Sequence, residues 1–138
     1  MKKLKAIIAA ICLVTAVGAQ TAFAANTPFS FRFDSINNIQ ESQDGTKDDN
    51  DSNWYISLDR KNGSTNNTMS SSNIFGVKIH RTYDDNVGKY ATFSNYVTGY
   101  GLRYNSAVYA NDTMFVKGQK DDASTSSAQL RISGRFAP

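Results

Sequence analysis

Apolar and polar residues alternate through most of the chain beyond residue 25, a pattern typical of strands that bury one face. In residues 29–33 three phenylalanines point one way, and a serine and an arginine point the other. The last such segment places Phe136 on the same side as Leu130 and Ile132, so we expect Phe136 in the core. The alternation predicts strands at residues 29–33, 54–59, 74–83, 90–97, 100–109, 113–117 and 129–136.

Residues that favour turns separate most of these segments. An Asp-Gly pair at residues 44–45 and an Asn-Gly pair at residues 62–63 tolerate the backbone of tight turns. Two polar stretches of low complexity, residues 41–53 and 64–73, predict long exposed loops. About seven short antiparallel strands without a helical pattern predict an all-β fold. We expect a small β-sandwich, with a partly open β-barrel as the alternative.

Residues 1–24 break this pattern. Three lysines precede an uncharged apolar stretch that ends in Ala-Phe-Ala at residues 22–24, which is typical of a secretory signal peptide. The most apolar part, residues 4–17, is shorter than the roughly 18 residues of a membrane-spanning helix. We therefore predict cleavage near Ala24 and no stable membrane anchor afterwards. The secreted, extracellular product is then a single domain, residues 25–138.

Removal of the signal peptide changes the charge balance. The signal carries three of the 15 Lys and Arg residues, which leaves 12 of them against 12 Asp and Glu. Binding of nucleic acid depends on an excess of Lys and Arg, so we expect no nucleic-acid partner. The single cysteine, Cys12, also lies in the signal. The mature domain must therefore be stable through packing alone, without disulfides.

His80 is the only histidine, and alternation places it on one strand face with Lys78 and Thr82, where we expect it to be exposed. A secreted hydrolase with a Ser-His-Asp triad is an open alternative because serines and aspartates are plentiful. No G-x-S-x-G turn supports it. One histidine without a cysteine cannot form the usual structural zinc site. We predict no catalytic residue and no cofactor.

Oxygen ligands suitable for calcium are more frequent. Asp48, Asn50 and Ser52 stand at alternate positions, and Asp59 follows eleven residues after Asp48. This spacing partly imitates an EF-hand loop. However, Asn53 stands where that loop has its glycine, and Asp59 stands where it has a bidentate glutamate. These residues are the calcium candidates, but we predict a solvated acidic loop that does not hold calcium tightly.

Tyrosines are concentrated in the middle of the domain. Exposed tyrosines can stack on sugar rings or fill a pocket of a partner protein. Tyrosines within a sheet form cross-strand aromatic pairs instead, and this is the alternative. The candidate binding residues are Tyr96, Tyr100, Tyr104 and Tyr109.

The chain contains three short motifs: FSFRF at residues 29–33, NYVTGY at 95–100 and SGRFAP at 133–138. Together they resemble the DUF2712 family of small secreted proteins from Gram-positive bacteria. Members typically close on S-G-x-W-S-P, whereas this chain has Phe136 and Ala137 in place of the Trp and Ser. The resemblance implies secretion and a compact β fold. It implies no activity and no site residues.

The sequence favours a non-enzymatic secreted interaction module that binds an extracellular protein or a cell-envelope ligand through tyrosine-rich surfaces. A bacteriocin-like secreted antagonist is the second hypothesis, because small β-sandwich bacteriocins of the lactococcin 972 type are similar in size, export and composition. A secreted hydrolase is the third.

Overall fold

The computed structural model of the protein describes residues 26–60, 67–82 and 85–138. All regular structure in these residues is β, in two antiparallel sheets, which confirms the predicted all-β sandwich. The strands are short, as expected, but there are ten rather than about seven. They are β1 (Thr27–Phe33), β2 (Ile39–Glu41), β3 (Gly45–Thr46), β4 (Asn53–Leu58), β5 (Phe75–Arg81), β6 (Asp85–Asn86), β7 (Ala91–Phe93), β8 (Tyr100–Arg103), β9 (Thr113–Lys120) and β10 (Leu130–Ala137).

The first sheet, sheet A, has the strand order β1-β10-β4-β8. β1 pairs with β10 from Thr27 opposite Phe136 to Phe33 opposite Leu130. On its other side β10 pairs with β4, where Phe136 lies opposite Ile56. The last strand of the chain is therefore central in its sheet, which prevents the C-terminus from fraying.

The second sheet, sheet B, has the order β2-β9-β5-β6. Two further short strands lie at its edges, because β3 also pairs with β9 and β7 also pairs with β5. The central strands β5 and β9 pair along their length, from Phe75 opposite Lys120 to Arg81 opposite Met114. Sheet B thus consists of two long inner strands flanked by short segments.

The two sheets pack face to face around an aromatic core. Phe29, Phe31 and Phe33 of β1 lie against Phe75 of β5, with ring centroids 6.3, 6.2 and 6.3 Å apart. Gly118 of β9 permits this approach, because a Cβ there would lie 2.7 Å from the ring of Phe31. The other fully buried apolar side chains include Trp54, Ile56, Val77, Ile79, Met114, Val116, Leu130, Ile132 and, as predicted, Phe136.

The edges of sheet A are partly closed against further strand pairing. At the β1 edge, the side-chain amide of Gln40 donates to the carbonyl oxygen of Arg32 and accepts its N–H. Pro28 on the same strand has no N–H to offer. At the β8 edge, Tyr104 forms a bridge to Gly88 beside sheet B. Such features protect a sandwich against edge-to-edge aggregation.

Two predicted strands are much shorter in the structure. Residues 90–97 contain β7, and residues 100–109 contain β8. Beyond Arg103 the chain leaves sheet A, and residues 104–112 form a connection that we call the 104–112 loop. Asn111 in this loop has a left-handed backbone (φ 73°), which asparagine tolerates better than most residues. Alternation alone did not reveal where pairing stops.

The polar stretches are less exposed than predicted. Residues 41–53 contain β3, and residues 67–73 include the buried Asn67 and Asn73. Asn67 donates to the carbonyl oxygen of Asp59, so its burial satisfies a backbone group. The expectation of fully exposed loops is therefore wrong for these residues.

The predicted signal peptide, residues 1–24, and the Asn-Gly pair at residues 62–63 lie outside the described residues. Within the described ranges, no helix is long and apolar enough to cross a membrane.

Candidate functional site on the outer face of sheet A

The four candidate tyrosines do not form one surface. Tyr96, Tyr100 and Tyr109 are exposed, whereas Tyr104 keeps 7% of its surface exposed and belongs to the core. The ring of Tyr96 contacts the guanidinium of Arg60 at 4.2 Å, and Tyr100 packs edge-on against Phe93. Tyr109 lies beyond the opposite end of β8, in the 104–112 loop. Tyr104 is therefore excluded as a surface binding residue, whereas the other three stay exposed.

Tyr104 takes part in a buried polar cluster instead. The ammonium group of Lys47, whose side chain is completely buried, lies 5.1 Å from the centroid of the Tyr104 ring. Burial, reinforced by the nearby charges of Asp49, Asp51 and Asp112, raises the pKa of the Tyr104 hydroxyl. The phenol therefore stays neutral at physiological pH, and the cluster resembles a structural element more than a catalytic one.

Lys47 is neutralised by Asp49, with Nζ 3.0 Å from Oδ1. Partial burial raises the pKa of Asp49, but the backbone N–H of Asp51 and the ammonium group of Lys47 outweigh this effect. The pKa of Asp49 consequently lies below its ordinary value. Lys47 also fixes the 104–112 loop through its backbone, because its carbonyl oxygen accepts the N–H of Asn111 at 2.7 Å.

The calcium candidates do not converge on one point. Asn50 uses its side-chain oxygen to accept the N–H of Ala110, and Asp59 accepts the hydroxyl of Ser133. Asp48 and Ser52 precede β4, while Asp59 follows it, so about 20 Å of strand separates them. No group of three or more His, Cys, Asp and Glu residues in the described part of the chain is arranged to hold a metal ion.

The prediction that His80 is exposed is wrong. His80 does lie on the outer face of sheet B, but it keeps 4% of its surface exposed. Phe115 lies directly opposite in the register, and the two rings stack at 5.6 Å. A large cross-strand neighbour has thus covered an outward position, which alternation along one strand cannot reveal.

The most unusual surface is the outer face of sheet A. Its four strands carry four charged residues, and all four are arginines. None of the strand residues that alternate with them is acidic. The inward residues of the same strands form the core, so period two directs these side chains to solvent. We call this surface the arginine face: Arg32 on β1, Arg131 and Arg135 on β10, Arg103 on β8 and the exposed Tyr55 on β4.

The strand register fixes the positions of these groups. Arg32 lies directly opposite Arg131, and Arg135 lies between Pro28 on β1 and Ser57 on β4. Arg103 lies opposite Asn53, at the far corner of the sheet. Four residues along β10 separate Arg131 from Arg135, or about 13 Å. Arg103 lies three strand spacings across the sheet and about eight residues along the strands from Arg32. The diagonal distance between the two residues is therefore roughly 30 Å.

Little within the described residues neutralises these charges. Arg32 approaches Asp34 at 4.0 Å, but both side chains are well exposed, so the pair is weak. Arg103, Arg131 and Arg135 form no ion pair with described residues. The Nε of Arg131 donates to the neutral side chain of Gln129. Like charges directly opposite one another destabilise a sheet, so the Arg32–Arg131 pair is not there for stability.

Tyr55 lies in the middle of the arginine face. Its hydroxyl donates to Asp51 at 3.0 Å, and this hydrogen bond is the main reason that the pKa of Tyr55 is raised. The ring passes over Gly101 of β8, where a Cβ would come within 3.2 Å of it. The ring is therefore held in one orientation over the backbone of β8.

The pattern of single strands did not predict this surface, although it contained a signal for it. Arg32, Arg131 and Arg135 occupy the polar positions of the first and last strands. The balanced charge of residues 25–138 concealed the segregation, because four of the six arginines share sheet A while the acidic residues lie outside its strands. Only the pairing of β1 with β10 shows that these arginines are neighbours.

The chain matches no protein-family model, and neither a curated protein nor a solved structure matches it significantly. The resemblance to the DUF2712 family therefore stays a prediction.

Proposed function

We propose that the protein is a secreted, non-enzymatic interaction module whose arginine face binds an anionic component of the cell envelope. The observation that supports this most is the composition of sheet A: every charged residue on its strands is an arginine, and all four point outward. Exposed guanidinium groups are suited to phosphate and carboxylate because their fork of donors matches both anions. In this function the arginines, rather than the tyrosines expected from the sequence, make the main contacts with the ligand.

The side chains that hydrolysis would need give no support to an enzyme. His80 stacks on Phe115 and is nearly inaccessible, so it is poorly placed to take a proton from a nucleophile beside a bound substrate. Tyr104, the buried phenol, has a raised pKa and is in contact with Lys47. Both groups are buried and in contact with neighbouring side chains.

Secretion is part of the proposal and rests on the sequence of residues 1–24. The resemblance to the DUF2712 family implies a Gram-positive source, and the envelope of such a bacterium is rich in anionic groups. A surface that carries four arginines, with Arg32–Asp34 as an exposed and weak pair, is complementary to such an envelope and would concentrate the protein there.

Binding of the mature protein to isolated Gram-positive cell walls tests this function. The variant Arg131→Gln/Arg135→Gln should bind about tenfold more weakly, since each exposed charge contact contributes up to about 1 kcal/mol. The matched control is Lys78→Gln/Lys89→Gln, which removes the same charge from outside sheet A and should change binding less than about twofold. Equal losses in both variants, or none in either, would contradict a specific arginine face.

A second assay separates this function from that of an antagonist. Purified mature protein, added at micromolar concentration to related strains, should leave growth unchanged while still binding their walls. Growth inhibition that survives Arg131→Gln/Arg135→Gln would refute the proposed role.

A further inference from the structure

We infer that the ligand of the arginine face is a linear polymer bearing phosphate groups, laid diagonally across sheet A from the Arg32–Arg131 pair to Arg103. This inference rests on the proposed function and specifies the shape and chemistry of the partner. Charge complementarity provides the attraction, because the strands of this face carry four arginines and no acidic residue. The carboxylates that reach the face, those of Asp34, Asp51 and Asp59, come from residues that flank the strands.

The spacing of the arginines favours an extended ligand. Arg32 and Arg131 are cross-strand neighbours, Arg135 lies about 13 Å further along, and Arg103 lies at the opposite corner, roughly 30 Å from Arg32. A guanidinium reaches only a few ångströms from the sheet. No single compact anion can therefore contact all four side chains, whereas a chain of repeated charges can.

Most outward side chains between the arginines are small and polar. Outward positions carry Ser30, Ser57 and Asn53, whose small side chains allow a polymer to lie close to the sheet. The Oγ of Ser57 already accepts the N–H of Gly99, which fixes its position. These three residues offer hydrogen-bonding groups and little bulk, while the exposed ring of Tyr55 lies between Arg135 and Arg103.

The same surface is poorly suited to nucleic acid. Proteins that bind single strands place successive bases on aromatic side chains, and each stacked base adds substantially to the affinity. The arginine face has one aromatic residue, Tyr55, with the hydroxyl held by Asp51. The favoured partner is therefore a polymer recognised through its charged backbone rather than through bases.

Length dependence tests the inference directly. Binding to the mature protein is measured for inorganic phosphate, for tripolyphosphate and for a polyphosphate longer than the roughly 30 Å diagonal. Only the long chain should bind well. For the long chain, log K should fall with log salt at a slope of about −3, or roughly −0.7 for each of four contacts. Equal affinity for tripolyphosphate would overturn the inference.

The most informative variant changes Arg103, at the far corner of sheet A. Arg103→Gln should weaken binding of the long polyphosphate about two- to fivefold and flatten its salt slope by roughly 0.7, while binding of tripolyphosphate stays unchanged. Lys89→Gln is the matched control and should alter neither. If Arg103→Gln has no effect on the long chain, the proposed path across the sheet is wrong.

Two outcomes separate this inference from the proposed function. If the arginine variants lose cell-wall binding but polyphosphate of any length fails to bind, the linear phosphate polymer is refuted and the interaction module stands. If neither ligand depends on the arginines, both proposals fail. Single-stranded DNA that binds as tightly as polyphosphate of equal charge would overturn the inference in favour of nucleic acid.

Discussion

The ammonium group of Lys47 lies in the interior of a domain with no disulfides, 3.0 Å from a carboxylate and 5.1 Å from the centroid of a tyrosine ring. At the scale of single residues, this cluster connects the segment before β4 to the 104–112 loop. The sequence offered no signal for it, because Lys47 is one of many charged residues in a polar stretch. The burial of Lys47 depends on which loop packs over it in the folded domain.

The two members of the ion pair should respond differently to mutation. Asp49→Asn leaves a buried ammonium group without its counter-charge and should lower the free energy of unfolding by about 2 kcal/mol. Lys47→Met keeps the volume, removes the buried charge and should cost less than about 1 kcal/mol, since its carboxylate partner is partly exposed and can be hydrated. Urea unfolding of both variants measures the difference; a larger loss for Lys47→Met would contradict this interpretation of the cluster.

The lowered pKa of Asp49 gives the pair a defined pH dependence. Because the folded pKa lies below the unfolded value of about 4, the stabilisation is complete above that value and is lost as pH falls through the folded pKa. The stability difference between wild type and Asp49→Asn should therefore be constant from pH 7 to about 5 and should shrink below about pH 4. A difference that grows under acid conditions would contradict the assignment.

The alternation of apolar and polar residues correctly predicted that Phe136 is buried. It is completely buried, between Thr27 of β1 and Ile56 of β4 in the register. Phe136→Ala should lower the free energy of unfolding by about 3–5 kcal/mol, because the deletion removes apolar contacts and leaves a cavity. An unchanged urea midpoint would contradict the central position of β10.

At the scale of elements, long alternating runs predicted their strands, and short pairings did not. β1, β4, β5 and β10 lie where expected because each has three or more apolar residues in alternation. The edge segments β2, β3 and β6 have two or three residues each, and their pairing depends on neighbours distant in sequence. The arginine face could not be predicted for the same reason, since it requires the order of strands in sheet A.

Cross-strand repulsion on sheet A should be measurable in stability. Arg131→Gln removes a charge opposite Arg32 and should leave the domain equally stable or more stable by up to about 0.5 kcal/mol. Arg135 lies between Pro28 and Ser57, so Arg135→Gln provides a control that should change stability little. Urea midpoints of the two variants decide this; a clear destabilisation by Arg131→Gln would mean that the arginine contributes to folding.

At the scale of the whole molecule, the domain combines a compact aromatic core with an unequal distribution of charge. Twelve basic and twelve acidic residues balance overall once the predicted signal is removed. The acidic residues nevertheless avoid the strands of sheet A. Net charge alone therefore gave no reason to expect a polyanion as partner, although it did argue against non-specific binding by excess positive charge.

Export is the other property of the whole molecule that the proposed function requires. N-terminal sequencing of the protein from culture medium should begin at Ala25 or Asn26, because signal peptidase recognises the small residues at positions 22 and 24. Protein that still begins at Met1 would contradict secretion.

The most direct test of the arginine face is a map of the bound surface in solution. Amide NMR spectra of the mature protein are recorded during titration with soluble fragments of Gram-positive cell wall. We predict the largest shift changes on β1, β10 and β4, centred on Arg131, Arg135 and Tyr55, and their loss in 0.5 M salt, where screening reduces the attraction between exposed charges. Changes centred instead on Tyr96 or Tyr109 would contradict the arginine face as the binding surface.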